Sequence, residues 1–369
     1  MFNNFFKNKE IEIAKEAVKN HPDNILKLNI LGKLYFEGNF YNEAIKIFEK
    51  ILKIDENYVL VFEPLSKCYI AKKQYLKAFR TIKYWLHIVP EDSQAKNMLF
   101  SLENSDCETE VKIEILQEIL KFEDKIETKE KLGNCYITNG QFSKSSEIFE
   151  NLLKIDEKPA YLITLCEIYS KLGKIPKATA MLEKLMLTQN FNMEHAQILA
   201  ELYVKEQRFE EAKGVYELLI QSSPENAQKF NKEIAKILLL EKNPDKAIEI
   251  TRNVIEQDKF SAEAKFLQAE ALIEKKDYAN AIDFLKEFYS DPIDKKTEQK
   301  IEKLIIETSI LYSQKLRAEK KYTEAIDALM PALRYDENNK NIYTELARIS
   351  TEIRDFSAAK EYMKIAESL

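Results

Sequence analysis

Glycine and proline are scarce in this chain, at six and nine of 369 residues. A sheet protein with many tight turns, a collagen-like repeat and a low-complexity linker all need more of both, so those classes are excluded. Histidine is rarer still. His21, His87 and His195 lie far apart in sequence and offer no converging metal or catalytic set. The four cysteines, Cys68, Cys107, Cys135 and Cys166, contain no pair close enough for a zinc half-site. They read as small buried thiols, a usage that fits a reducing compartment. No run of 18 apolar residues occurs, and the start, Met1-Phe2-Asn3-Asn4-Phe5-Phe6, has no apolar stretch of signal-peptide length. The expectation is a cytoplasmic protein with no direct membrane insertion. A net charge of −6 gives no reason to expect nucleic acid as a partner.

What the chain has is a period. Alanine recurs at 44, 78, 178, 212, 247, 281, 325 and 359, with most intervals at or next to 34. Three residues ahead of it runs a bulky apolar track, including Tyr41, Tyr75, Phe142, Ile175, Phe209, Tyr278, Tyr322 and Phe356. A period near 34 means one supersecondary unit copied along the chain, each copy burying its apolar face against the next. Residues 25–58 show the unit. Apolar residues recur at three and four from Ile25 to Tyr35 and again from Tyr41 to Phe48, which predicts two amphipathic helices, with a break at Gly38-Asn39.

Leu31-Gly32, Tyr35, Gly38, Tyr41, Ala44 and Phe48, at these spacings, resemble the tetratricopeptide repeat. The same pattern returns as Leu132-Gly133, Tyr136, Gly140, Phe142 and Phe149, and as Leu199-Ala200, Tyr203, Phe209, Ala212 and Tyr216. The resemblance covers nearly the whole chain and implies an all-α, right-handed α-α superhelix of about ten repeats, two helices (A and B) each. Gly32 and Ala44 are expected to be small because helices A and B cross closely there. Five of the six glycines fall on repeat positions, which leaves none for a phosphate loop.

One solenoid over 1–369 is expected: a partial repeat at 1–24, two regular repeats at 25–92, a degenerate one at 93–125, five at 126–295, an insertion at 296–305 and two more at 306–369. The stretch 93–125 lacks the turn glycine, the aromatic and the alanine, which makes it a candidate hinge. Trp85, just before it and the sole tryptophan, stands where the family usually has alanine and is expected to fill space left by this poorly shaped neighbour. The insertion, Lys296 to Ile305, holds good helix formers and no breaker, so it should lengthen the A helix of the following repeat. Pro331 falls inside the next B helix, where it removes a hydrogen bond.

No G-x-S-x-G elbow, no Walker-type phosphate loop, no H-E-x-x-H and no dinucleotide fingerprint occur. The reading is therefore non-catalytic, with no cofactor and no metal. The resemblance implies that A-helix positions 2, 5, 9, 12 and 13 face a concave groove. Position 12 carries an apolar track, Phe36, Ile70, Ile137, Val204, Leu239 and Ile273, suited to a peptide or helix of a protein partner. Lys229, Lys232 and Lys236 share one face of one A helix, beside Leu239 and Phe266, with acids on the neighbouring A helices. That arrangement reads either as a charge ladder between helices or as a stripe selecting an acidic-apolar segment. Family members that hold a chaperone's C-terminal carboxylate need a Lys and Asn set across three repeats. Here Asn134 supplies one Asn, but Thr164, Glu194 and Ile198 occupy the positions that must complete it. The leading expectation is a scaffold or adaptor binding its partner in the groove. The alternative is a structural subunit of a larger envelope, secretion or motility assembly that uses the convex surface and the array ends.

Overall fold

In the computed structural model, the backbone is described for residues 2–369 and the side chains from residue 8 onward, so the Met1–Phe6 side chains lie outside the described residues. Among the described residues every regular element is helical. Contacts divide the chain into two units, Met1–Asn190 and Phe191–Leu369. The first holds α1 (Phe2–Asn20), α2 (Ile25–Glu37), α3 (Tyr41–Ile54), α4 (Phe62–Ala71), α5 (Tyr75–Ile88), α6 (Ser93–Ser101), α7 (Thr109–Ile119), α8 (Ile126–Thr138), α9 (Phe142–Ile155), α10 (Pro159–Lys171) and α11 (Ile175–Met186). The second holds α12 (Met193–Lys205), α13 (Phe209–Ser222), α14 (Ala227–Leu240), α15 (Pro244–Gln257), α16 (Ala262–Glu274), α17 (Tyr278–Tyr289), α18 (Lys295–Ala318), α19 (Tyr322–Leu333), α20 (Lys340–Glu352) and α21 (Phe356–Ser368). From α2 on, even-numbered helices are A helices and odd-numbered ones B helices. Within each unit, consecutive helices pack against one another.

The two halves of a repeat meet where the side chains are smallest. A Cβ added to Gly32 would lie 2.5 Å from the Phe48 ring, and one added to Gly133 would lie 2.7 Å from Phe149. Ala44, Ala78, Ala178, Ala212, Ala247, Ala281 and Ala325 are all fully buried. The alanine track skips position 145, where Ser145 stands instead. That serine is equally buried, and its hydroxyl donates to the Gly133 carbonyl at 2.9 Å, so the close crossing is kept and the polar group is satisfied.

The A-to-B turn is built the same way each time. After α2 the N–H of Asn39 bonds to the Phe36 carbonyl and that of Phe40 to the Tyr35 carbonyl, a pattern that needs one left-handed residue. That residue is Asn39 (φ 62°), not Gly38 (φ −82°). Equivalent turns place Lys73, Gly140, Gly173, Gln207, Lys242, Lys276, Lys320 and Arg354 at positive φ, so most turns put a side chain where glycine is favoured.

The stretch 93–125 lies inside the first unit. α6 is short, passes through a 3-10 turn at Leu102–Asn104, and reaches α7 with no left-handed residue between them. Large apolar side chains close it. Phe62, Phe79, Ile82, Trp85, Leu99, Leu102, Ile115 and Ile119 form one buried cluster, with the Trp85 ring stacked 6.3 Å from Phe62. Other repeats hold Ile51, Leu152, Leu185 or Ala332 at the position of Trp85, so tryptophan is the largest occupant of a site this chain fills mostly with aliphatics.

α18 extends over 24 residues against 13 for α2. Asp294 caps it, accepting from the backbone N–H of Lys296 and Thr297. Ile301 and Ile305 on its first half are fully buried against Phe266, Leu285 and Phe288, so the cover for this extension comes from the preceding repeat. Pro64 sits in the first turn of α4 because a 3-10 turn at Val59–Val61 delays the helix start, and α19 runs through Pro331 to end two residues later. No helix among the described residues is long and apolar enough to cross a membrane.

Candidate functional site

Among the A helices, α2 packs on α4 in the first unit, and α14 on α16 and α18 on α20 in the second, so that residues at one repeat position are neighbours there. Phe36, Ile70 and Ile137 in the first unit, and Val204, Leu239 and Ile273 in the second, are each half-buried. Half-burial has a local cause. Phe36 leans on Tyr41 (ring centroids 6.3 Å), and Ile70 packs against the clusters on both sides of α4. Each keeps part of its surface open. Asn134 is exposed on α8.

Phe266 is placed differently. It is only 8% exposed, its ring lies 5.1 Å from Phe288, and the Lys300 ammonium sits 3.8 Å from its centroid. The α18 extension therefore covers Phe266, which belongs to the core of its unit and not to an open face.

The three lysines of α14 do share a face, and each is bonded. Lys229 donates to Gln197 of α12 at 2.9 Å. Lys232 and Lys236 reach Glu263 of α16 at 2.5 and 2.7 Å, and Lys236 also meets Glu233 at 2.8 Å. Hydrogen bonds from Lys232 and then Lys236 hold the Glu263 carboxyl below the usual carboxylate range. Burial pulls the Lys236 ammonium down, but its bonds to Glu233 and Glu263 outweigh that, and its pKa is raised. A lysine row between an amide and a carboxylate thus links three A helices.

The apolar set at position 12 is only part of what the A helices offer. In the first unit a cavity of about 400 Å³ is lined by Lys33, Phe36 and Glu37 of α2, by Leu60, Glu63 and Pro64 at the start of α4, and by Trp85 of α5. Reading the track at one position missed it. The signal lay at positions 2, 5 and 9 of the same repeats, which are Leu60, Glu63 and Lys33. Buried thiols complete the interior: desolvation pushes Cys68 up to about 12 and Cys166 to about 11, which leaves both unreactive. Among the described residues no group of three or more His, Cys, Asp or Glu is placed to hold a metal ion.

The repeated A–B hairpin, its small-residue crossing and its aromatic turn position match models of the tetratricopeptide repeat at residues 28–58, 126–159 and 233–294. The chain carries tetratricopeptide repeats. A curated relative, Superkiller protein 3 of Schizosaccharomyces pombe, is 24% identical over 161 residues, 39% of this chain. The match spans 12% of that protein's length. Among solved structures, one of Naa15/Naa10 bound to HypK-THB is similar over 98% of this tetratricopeptide chain and 61% of that chain, with 18% identity and a TM-score of 0.48. A tetratricopeptide repeat protein from Parabacteroides merdae is similar over 66% of this chain and 92% of its own, with 17% identity and a TM-score of 0.40. Tetratricopeptide arrays are protein-interaction scaffolds, and this chain has that architecture.

Proposed function

We propose that the chain is a non-catalytic scaffold or adaptor that takes a peptide or helical segment of a protein partner along its A-helix face. The observation that carries this is the set of half-buried apolar residues at one A-helix position, Phe36, Ile70 and Ile137 in the first unit and Val204, Leu239 and Ile273 in the second. These side chains are fixed by their own repeat yet keep an open edge for a second chain. The bonded lysines of α14 favour the ladder reading of that stripe, so selection of an acidic segment there requires a partner able to displace Glu263 from Lys232 and Lys236. Hydrogen exchange on the chain with and without a partner recovered from its native host tests the reading. Slowed exchange is expected along A helices such as α4, α8 and α16. Protection confined to B helices would overturn it.

One observation favours the second reading, a structural subunit of a larger assembly. Phe356 and Met363 stand exposed on α21, at 67% and 43%. Light scattering separates the two. A monomer across the concentration range agrees with the adaptor, and a concentration-dependent oligomer agrees with the subunit.

A further inference from the structure

The cavity beside Trp85, in the first unit, joins an apolar wall to charged groups. Its apolar wall combines Phe36, Leu60, Pro64 and Trp85, and Leu60 stands at its rim 60% exposed. Trp85 enters from a B helix, and its buried Nε1–H has no hydrogen-bond partner among the described residues. The volume of about 400 Å³ lies within the range of about 300–1,000 Å³ typical of ligand sites. Its lining holds more acidic than basic groups. Glu37, Glu63 and Asp92 line it against one ammonium, Lys33. Asp92 is held by the N-terminus of α6, accepting from Gln94 N and Ala95 N at 2.9 and 3.0 Å, and Glu63 meets Lys67, which is not among the lining residues, at 2.6 Å. These bonds hold the Asp92 and Glu63 carboxylates in place beside the cavity.

We infer that this cavity anchors one large apolar side chain of an extended protein segment whose flanking residues are basic. The apolar wall takes the anchor, and the acidic rim selects the flanks and rejects acidic ones by like-charge cost. This rests on the A-helix binding proposed for the chain and narrows it to one place and one partner chemistry.

Because Trp85 is the sole tryptophan, its emission reports occupancy of this cavity directly. The probes are acetylated, amidated octapeptides free of tryptophan and tyrosine, each with a central leucine or phenylalanine flanked by lysines or by glutamates, titrated into the full chain. The lysine-flanked peptides should shift Trp85 emission saturably and bind at least ten-fold tighter than the glutamate-flanked ones. Leu60→Glu, on an exposed side chain that the fold does not need, should weaken binding at least ten-fold with helical content unchanged, and Glu63→Lys should reduce the preference for basic flanks. No saturable change, or equal affinity for both flanks, overturns the inference. A tryptophan-free twelve-residue phage library panned on the full chain separates this from the broader reading. Binders that leave Trp85 emission unchanged and ignore Leu60→Glu overturn this cavity while A-helix binding stands, and a library that yields no binder overturns both.

Discussion

Replacing Gly32 by alanine sets two physical effects of opposite sign against each other. Alanine is about 1 kcal/mol better than glycine inside a helix. Its methyl, however, would lie 2.5 Å from Cε1 and 2.9 Å from Cδ1 of Phe48, a ring with no exposed surface into which to move. Overpacking of this kind costs about 1–3 kcal/mol, so the variant should lose up to about 2 kcal/mol. Phe48→Leu alone leaves a void and should cost about 1–2 kcal/mol. The double variant removes the clash and keeps the helix gain, and it reproduces a pairing the chain already uses: Ala269 and Leu285, sixteen residues apart in the register of Gly32 and Phe48, are both fully buried. It should therefore lie within about 1 kcal/mol of the parent, with a coupling of about 1–2 kcal/mol between the sites. Repeat arrays open in parts, so the assay is native-state hydrogen exchange at amides of α2 and α3, supported by urea unfolding followed by circular dichroism. Additivity within about 0.5 kcal/mol would refute the claim that this contact sets the residue at position 32.

Gly173 has φ +68°, and no atom lies within 4 Å of the place a β-carbon would take there. Gly173→Ala should therefore cost about 1 kcal/mol from backbone strain alone, and Lys242→Gly (φ 56°) should gain about 0.5–1 kcal/mol, both read by urea unfolding. Ile301→Ala should cost unit two about 2–5 kcal/mol because its side chain is fully buried against Phe266, whereas the half-buried Leu304→Ala should cost clearly less in the same assay. Glu263 has its pKa depressed by Lys232 and Lys236, so its stabilising contribution is complete above the unfolded carboxylate value and is lost as pH falls through the lower folded value. Lys232→Met with Lys236→Met should raise the Glu263 carboxyl pKa in an NMR titration and flatten the loss of stability as pH falls below the unfolded carboxylate value. An unchanged titration would show that the ladder does not hold this carboxylate.

The repeat was legible because its constraint is local and recurs. A small residue at position 8 faces the residue sixteen further on, and the chain keeps their joint volume level: Gly32 with Phe48, Gly133 with Phe149, Ala269 with Leu285. The long α18 was legible too, since ten helix-forming residues without a breaker have nowhere to go but into the helix. Three things were not. Phe266 read as a groove residue because its position in α16 says nothing about α18, whose extra turns lie on it. The cavity at Trp85 is lined from α2, the start of α4, α5 and the turn into α6, a combination that no single repeat position spells out. Charge was the least legible, since a lysine row has the same spacing whether it is bonded to Glu263 or open to a partner.

Site-specific photo-crosslinking tests the central claim most directly. A benzophenone side chain is placed singly at exposed A-helix positions (Lys33, Asn134, Lys229) and at exposed B-helix positions (Lys46, Lys154, Arg252), and the chain is irradiated in extract of its native host. Specific crosslinks from the A-helix set, suppressed by excess unlabelled chain and absent from the B-helix set, are the predicted result. Crosslinks arising only from the B-helix set would contradict the account.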